Sequence, residues 1–506
     1  MAKAFQQALA ESLKRAHDVA INGIIRTDQL NRPDRERLEK SGWLTRVLKG
    51  WYLFTQPHAG ANGGESTQWY ASFWDFLAVY LQDRFGQDYC LSAVDSLHIA
   101  LGATRIPQQV LLMTKKPGNM CVTLPLDTSL AIYHETTTFP TKLEQINNLN
   151  IMSVAEALVR IPVKYFQDDP RQIEIALNIV DINALSRELL KANNLAAAER
   201  IIGGYQFIHQ PQIAKQLTEM MQAAGYTLQP KNPFTETKPT LGQNTRIKSP
   251  YSARITALWK DYRKVILDIA PKIPGLPRAK KRYLTEVDAL YAQDAYHSLS
   301  IEGYQVTERL INDIAQGAWH PDKHQNHAEQ RNALAARGYY LAFEAVKNNL
   351  RDIFAKENPG AVIKNNLFRW HQQLFAPAVQ SGIISAERLA GFRDNQVYIR
   401  GSMHTPFPRH ALLDAMETFF TCLIEEDNAL VRAILGHFVF VYIHPYMDGN
   451  GRLARFLMNA MLASGGFAWT VIHVEQRKEY FAALEKASVD GDIEPFARFL
   501  LSVVLG

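Results

Sequence analysis

The sequence contains few cysteines, no long apolar run and no strong excess of charge. Cys90, Cys121 and Cys422 are its only cysteines, and their spacing fits neither a zinc module nor a disulfide framework. No apolar run reaches the roughly 20 residues that a membrane-spanning helix needs. The N-terminus also lacks the uninterrupted apolar core of a signal peptide. We therefore expect a cytoplasmic protein with no membrane anchor.

The overall composition is that of an ordinary globular protein. The formal net charge of +5 is small for 506 residues and does not by itself predict a nucleic-acid or membrane partner. Hydrophobic residues make up 47% of the chain and charged residues 21%. Because one compact core rarely grows to this length, we expect a multidomain protein.

Residues 1–57 have the pattern of a winged helix-turn-helix. FQQALAESLKRAHDVA has apolar residues at helical spacing, and RTDQL would form a short second helix. NRPDRERLEKSG would form the third helix, with Pro33 in its first turn and Gly42 at its end. WLTRVLKGWYLF then alternates across Lys49-Gly50, which is typical of a hairpin wing.

This N-terminal region is basic, with ten Lys or Arg against six Asp or Glu in residues 1–54. A recognition helix enters the major groove of DNA while its flanks contact phosphates, so DNA is a candidate partner. A solvated basic helix in a protein-contact domain fits the same pattern. The candidate DNA-binding residues are Arg32, Arg35, Lys40, Arg46 and Lys49.

Residues 58–225 mix helical and strand-like segments and predict a small α/β region. With LEKSGWLTRVLKGWYLF and LNIMSVAEALVRIP, the first 225 residues resemble the AbiEi-type antitoxins and regulators. That resemblance implies a toxin-antitoxin or regulatory context. Residues 226–250 are rich in Pro, Thr, Asn and Lys and predict a linker.

Residues 251–506 carry apolar stripes at helical spacing almost throughout, so an all-α bundle is expected. YIHPYMDGNGRLARFLMN interrupts this pattern: Pro445 ends one helix, and another begins near Gly451. The glycines between them can expose backbone N–H groups to an anion at the start of the new helix. Arg452 and Arg455 lie on one side of that helix, where both can contact a polyphosphate.

Two further side chains complete a candidate reaction centre. Asp448 offers a hard oxygen ligand for Mg²⁺, which commonly takes one or two carboxylates together with phosphate oxygens. His444 lies on the entry side of the turn, where it can accept a proton from an incoming hydroxyl. The combination indicates nucleotidyl transfer. An Asn-Gly turn between core helices, with incidental charges, is the simpler alternative.

The segment HPYMDGNGRLAR, residues 444–455, resembles the Fic family signature HPFx(D/E)GNGRxxR, with Tyr446 in place of Phe. SLSIEG, GFRDNQVYI and RKEYFAALEKASVDGDIEPFARFL extend the resemblance over about residues 280–502. It implies a Fic-like helical bundle with a β-hairpin flap. It also implies transfer of AMP from ATP to a Ser, Thr or Tyr hydroxyl of a target protein, or of the chain itself.

The resemblance also gives roles to individual residues. His444 would be the catalytic base and Asp448 would hold Mg²⁺. Nucleotide contacts would come from Gly449, Asn450, Gly451, Arg452, Arg455 and Tyr480. The flap would align the target as an added strand through Arg393, Asp394, Asn395, Gln396, Val397, Tyr398 and Ile399.

An inhibitory element is implied near residues 290–303. In HSLSIEG, Ser298, Glu302 and Gly303 resemble the family's inhibitory pattern (S/T)xxxE(G/N). Glu302 would pair with Arg455 and occupy the guanidinium that should receive the γ-phosphate. A surface acid at the end of a helix is the alternative.

The leading hypothesis is therefore an autoinhibited protein adenylyltransferase that uses ATP and Mg²⁺, within residues 251–506. Removal of AMP from a modified protein at the same site stays open as an alternative. So does a DNA-binding regulator with a Fic sensing domain. The sequence also leaves open whether the chain forms a homodimer.

Overall fold

The computed structural model describes residues 2–55, 65–235, 238–241, 249–318, 327–399 and 401–505. Packing divides the chain into two units. The first is Met1–Pro250 with Val397–Thr405, and the second is Tyr251–Gln396 with Pro406–Gly506. No helix in the described ranges combines the length and apolar character needed to cross a bilayer.

The first unit opens with a small antiparallel sheet packed on two helices. Its sheet order is β1-β3-β2. RTDQL, predicted as a short second helix, begins with the last residue of strand β1, Arg26, and continues as the short 3-10 helix Thr27–Gln29. Ile24 and Ile25 are β-branched and pair with Leu53 and Tyr52 of the hairpin, so the extended form is favoured. The elements are α1 (Ala2–Val19), β1 (Ile24–Arg26), α2 (Arg32–Lys40), β2 (Leu44–Leu48) and β3 (Trp51–Phe54).

The middle of the first unit is built on a four-stranded sheet of order β4-β5-β7-β6. β5 and β7 pair in parallel, and the other neighbours are antiparallel. The buried side of this sheet packs on aromatic residues of α3 such as Phe73 and Phe76. The elements are α3 (Glu65–Phe85), β4 (Tyr89–Leu91), α4 (Ala93–Ala100), β5 (Gln109–Thr114), β6 (Met120–Thr123), β7 (Ser129–His134), β8 (Glu144–Ile146) and β9 (Leu149–Ile151).

Six helices complete the first unit. Most are short, and several begin at a polar residue that caps the helix, as Ser153 does at α5 and Asp181 at α8. They are α5 (Val154–Arg160), α6 (Val163–Asp168), α7 (Pro170–Ile179), α8 (Ile182–Ala192), α9 (Leu195–Phe207) and α10 (Pro211–Ala223).

The described part of the predicted linker is packed onto these helices. Phe234 is buried and stacks on Phe207 with ring centroids 4.5 Å apart. The backbone N–H groups of Thr240 and Leu241 donate to the Glu174 carboxylate at 2.9 to 3.0 Å. Residues 236–237 and 242–248 of the predicted linker lie outside the described residues.

The second unit is helical, and no strand occurs in its described residues. Its core holds many aromatic and branched side chains, among them Trp370, Phe438 and Phe456. The helices are α11 (Pro250–Ile269), α12 (Lys280–Ile301), α13 (Glu308–Ala315), α14 (His327–Phe354), α15 (Pro359–Gln380), α16 (Leu412–Glu425), α17 (Ala429–Ile443), α18 (Asn450–Ser464), α19 (Arg477–Glu485) and α20 (Glu494–Leu505).

Two glycines allow helices of this unit to approach closely. A Cβ on Gly338 of α14 would lie 1.9 Å from the carbonyl oxygen of Leu374 on α15. A Cβ on Gly436 of α17 would lie 2.5 Å from Leu457 on α18. Close packing of α17 on α18 fixes both ends of the loop that joins them, residues 444–449.

Candidate active site

The loop between α17 and α18 is held in one shape by its own backbone and by Asn450. His444 ends α17 in the left-handed region at φ 54°, and Gly449 precedes α18 at φ 86°. The Asn450 side chain accepts from the Tyr446 N–H at 3.0 Å and donates to the Tyr446 carbonyl at 2.7 Å. Asn450 was predicted to contact nucleotide; in the structure its side chain is buried and both its oxygen and its nitrogen bond to the Tyr446 backbone, while the nucleotide contact stays a prediction.

Tyr446 anchors the loop in the core. Its ring is buried and stacks on His371 of α15, with centroids 3.9 Å apart and planes 10° apart. Burial, with a contribution from Arg452, lowers the pKa of His371 to about 4, so the imidazole is neutral at neutral pH. Nothing in the sequence pattern around His371 indicated this contact, because it joins residues far apart in the chain.

Arg393 supports the same loop from outside. It was predicted to belong to a target-binding flap, yet it is buried. Its guanidinium donates to the His444 carbonyl at 2.8 Å and to the carbonyls of Asn395 and Phe407, and its backbone N–H donates to Pro445 at 2.9 Å. Arg393 therefore positions the loop that carries His444.

The predicted β-hairpin flap is wrong: residues 391–399 and 401–408 contain no strand. The segment is irregular, and its members differ in exposure. Asp394, Asn395, Gln396 and Tyr398 are exposed, Ile399 is half-buried, and Val397 is buried.

The start of α18 carries two buried arginines, Arg452 and Arg455. The Arg452 side chain is 1% exposed, and its guanidinium lies 5.2 Å from the ring centroids of both Tyr304 and Phe375. One of its terminal nitrogens donates to Asp448 Oδ1 at 3.1 Å. Arg452 Nε and Arg455 Nη1 are buried without a hydrogen-bond partner in the described structure. Buried donors of this kind are normally satisfied, so a polar ligand is the expected partner.

Arg455 is held by the end of α12. Its Nη2 donates to Glu302 Oε1 at 2.6 Å and to the Ser298 carbonyl at 3.1 Å, and its Nε donates to Ser298 Oγ at 2.8 Å. Gly303 follows at φ 86°, a conformation that favours glycine and turns the chain away after Glu302. The structure thus brings together the residues that the sequence pattern had paired at long range.

The Glu302 carboxylate also covers the start of α18. A Cβ placed on Gly451 would lie only 2.3 Å from Glu302 Oε1, so the carboxylate oxygen fills the space directly above this glycine. The first turn of a helix attracts anions through its free N–H groups and its dipole. A negatively charged group therefore lies at this helix start, over Gly451.

The geometry of His444 defines which nitrogen can act as a base. Its Nδ1 lies 3.3 Å from the Val441 carbonyl, and a carbonyl can only accept, so Nδ1 carries the proton. Nε2 then keeps its lone pair. Burial lowers the pKa of His444 to about 4, which leaves the imidazole neutral at neutral pH.

Asp448 has the oxygen chemistry and the exposure that the predicted cation ligand requires. Its side chain is 55% exposed, and its Oδ1 accepts from Arg452 and from the Gly449 N–H. A carboxylate that is open to solvent is a suitable hard ligand for Mg²⁺.

Tyr480 lies in the core. Its side chain is buried and its hydroxyl is 2.8 Å from His437 Nε2. His437 is itself fully buried, as expected for a core histidine. Farther along, Lys486–Asp490 form a single π-helical turn, a form that often marks functional segments.

The basic residues of the N-terminal region differ in their surroundings. Arg32, Lys40, Arg46 and Lys49 are exposed, and Arg32 pairs with Glu36. Arg35 instead donates to the carbonyls of Thr27 and Leu30, which uses its guanidinium inside the fold. Binding of DNA by this region stays a prediction.

A known protein family and several known proteins match part of this chain. The Fic/DOC family matches residues 362–462, which include the loop and both arginines. Protein adenylyltransferase Fic of Nematostella vectensis is 29% identical over 232 residues, covering 45% of this chain and 49% of that protein. The enzyme of the same name from Drosophila yakuba is 31% identical over 230 residues, covering 45% of this chain and 41% of that protein.

This chain spans less than half the length of these two relatives. A solved structure of Fic-1 from C. elegans aligns at 18% identity and a TM-score of 0.36, covering 69% of this chain and 94% of that one. A TM-score at this level carries no argument about the fold. The match over residues 362–462, which contain the loop of residues 444–449, shows that this part of the chain is similar to the Fic/DOC family.

Proposed function

We propose that the chain transfers AMP from ATP to a hydroxyl group of a protein. The observation that carries this proposal is the negatively charged carboxylate of Glu302 above Gly451 and against Arg455. A site that holds a carboxylate between a helix start and a guanidinium is suited to a phosphate. The buried donors of Arg452 and Arg455 support the same ligand class.

The residues of the loop would then each have a separate role in the transfer. The target oxygen attacks the α-phosphorus and forms a P–O bond, while the bond between the α-phosphorus and the bridging oxygen breaks and pyrophosphate leaves. His444 Nε2 accepts the hydroxyl proton, because its Nδ1 proton is held by Val441. Arg452 and the N–H groups at the start of α18 bind phosphate oxygens, where charge develops.

Asp448 would hold Mg²⁺, which neutralises phosphate charge when bound. Arg393 and Asn450 keep the loop in the geometry that His444 needs, through their bonds to backbone groups of residues 444–446. The exposed residues of the irregular segment within the second unit, such as Asp394 and Asn395, would contact the target.

In this proposal the present conformation is inhibited. Glu302 occupies Arg455, so the γ-phosphate of ATP loses its arginine and the triphosphate cannot extend along α18. Displacement of Glu302 would restore the productive position, since a more highly charged phosphate group competes for the same guanidinium.

The reaction is tested by the position of the label in ATP. With the full chain carrying Glu302→Gly, we expect protein to be labelled from α-³²P ATP and not from γ-³²P ATP, with pyrophosphate released. Labelling from γ-³²P ATP would instead indicate phosphoryl transfer, and no labelling from either would contradict both reactions.

The same site could also remove AMP from a modified protein, with Glu302 orienting a water molecule. The position of its carboxylate, 27% exposed and directly over Gly451, is the observation that favours this alternative. Release of AMP from a pre-labelled target by the wild-type chain, faster than by Glu302→Gly, would support the reverse reaction.

DNA binding is a second candidate function, for the N-terminal region. Lys40, Arg46 and Lys49 are exposed on α2 and the hairpin that follows it. If they contact phosphates, a mobility-shift titration should give an affinity that rises steeply as salt is lowered, and Arg46→Ala with Lys49→Ala should reduce that slope. Absence of any shift at low salt would contradict DNA binding.

A further inference from the structure

A cluster of potential metal ligands lies beside the inhibitory end of α12. His297 is on α12, and His473 and Glu475 lie on the segment that precedes α19. One ligand atom from each of the three residues lies within 4.8 Å of the other two. The two imidazole rings have centroids 4.3 Å apart. The nucleotide site described above uses none of these three side chains.

The distances are close to those of a coordinated ion. Ligand atoms bonded to Zn²⁺ at about 2.0–2.1 Å are separated from each other by at most about 4.2 Å. His297 Nδ1 and Glu475 Oε2 are 3.9 Å apart, so this pair is already in range. The Glu475 side chain is 72% exposed, so it can turn toward an ion at little cost.

The surroundings allow an ion to enter and to keep water ligands. The His297 side chain is 11% exposed, so the cluster runs from a buried imidazole to a carboxylate in solvent. His473 and Glu475 line a cleft of about 850 Å³ together with Gln293. Three protein ligands with an open position are the pattern of an exchangeable ion rather than a closed structural site.

Two imidazoles and one carboxylate select the class of ion. Mg²⁺ and Ca²⁺ prefer oxygen ligands, whereas imidazole suits Zn²⁺, Ni²⁺ and Cu²⁺. We propose that His297, His473 and Glu475 bind a divalent transition-metal ion such as Zn²⁺ and thereby fasten the last turn of α12 to the segment before α19.

The link to inhibition follows from contacts already present. His297 Nδ1 accepts from the Val474 N–H at 3.1 Å, and Arg477 Nε donates to the Ile301 carbonyl at 2.8 Å. The segment 473–477 thus already holds the turn that carries Ser298 and Glu302. An ion bound at His297 Nδ1 would displace the hydrogen bond from the Val474 N–H. In its place, stronger metal bonds would connect His297, through the ion, to His473 and Glu475. It therefore restrains the turn more tightly.

Binding is tested on the full, tag-free chain after removal of metal with a chelator. Titration with Zn²⁺ should give a binding step that weakens at least about tenfold in His473→Ala and in Glu475→Gln. His410→Ala, which removes an exposed histidine outside the cluster, should leave it unchanged. Titration with Co²⁺ should give visible absorption bands that are lost in His473→Ala. Equal Zn²⁺ affinity in the wild type and in both cluster variants would overturn the site.

The effect on α12 has a readout that does not depend on the proposed transfer reaction. Zn²⁺ should slow backbone hydrogen exchange in the last turn of α12 in the wild type and have no effect there in Glu475→Gln. Because Glu475 is exposed, this variant should fold normally, which thermal unfolding without metal checks. Binding without any change in exchange would overturn the fastening of α12.

Discussion

Replacing Glu302 with glycine should raise AMP transfer by about tenfold to a hundredfold, the range expected when a coupling of a few kcal/mol is removed. The variant frees the Arg455 guanidinium and clears the space above Gly451, where Glu302 Oε1 now lies. The measurement is incorporation of α-³²P label into protein at saturating ATP and magnesium. Glu357→Gly serves as the control, since Glu357 is an exposed acid between α14 and α15, outside the site. Equal labelling by Glu302→Gly, Glu357→Gly and the wild type would contradict inhibition by Glu302.

The same substitution should lower stability when no nucleotide is present. Arg455 is 3% exposed, and without Glu302 its guanidinium loses the carboxylate while it keeps the two Ser298 acceptors. Breaking a buried ion pair from one side leaves an uncompensated charge. ATP with magnesium should therefore raise the melting temperature of the variant more than that of the wild type. If the variant is more active and is stabilised more strongly by ATP than the wild type, the gain in activity comes from freeing Arg455. A general loosening of the fold would not give the larger stabilisation by ATP.

Replacing His444 with alanine in the Glu302→Gly background should lower transfer by at least about 10²–10⁴-fold, the loss typical of a general base. Because His444 Nδ1 is held by the Val441 carbonyl, Nε2 is the nitrogen with a free lone pair, and alanine removes it. ATP should still protect this double variant against thermal unfolding, because Arg452, Arg455 and Asp448 are intact. His410→Ala in the same background is the control. Transfer within a few-fold of the parent would contradict the role of His444.

The acidic limb of the pH profile gives an independent check on this residue. The usual pKa of histidine is 6.5, and burial lowers that of His444 to about 4. The basic, neutral form is therefore already complete at neutral pH and is lost only as the pH falls toward 4. In the Glu302→Gly variant, kcat/KM should show no titration near 6.5 from this group. A limb with a midpoint near 6.5 would mean that His444 is solvated in the free enzyme.

The loop of residues 444–449 was predictable because its chemistry is local in the chain. Twelve consecutive residues supply the histidine, the aspartate, the glycines and the two arginines, and periodicity alone places a helix on each side. The resemblance to the Fic family that these residues carry is confirmed by the family match over residues 362–462. The sequence did not predict that Arg393 and Asn450 also support the loop. Arg393 donates to the His444 carbonyl, 51 positions away, and Asn450 donates to the Tyr446 carbonyl within the loop, and both side chains are buried.

The sequence by itself determined the helical character of the second unit and the charge and order of the groups from His444 to Arg455, since both follow from side-chain chemistry and spacing. Only the tertiary structure decided which of those groups are free to act. It stacked His371 on Tyr446 and enclosed Arg452 between Tyr304 and Phe375. It also placed the Glu302 carboxylate over Gly451 and against Arg455, although Glu302 precedes Arg455 by 153 positions in the chain. The reason is physical: a polar side chain binds whichever partner packing brings within about 3 Å, and packing joins segments that no local pattern connects.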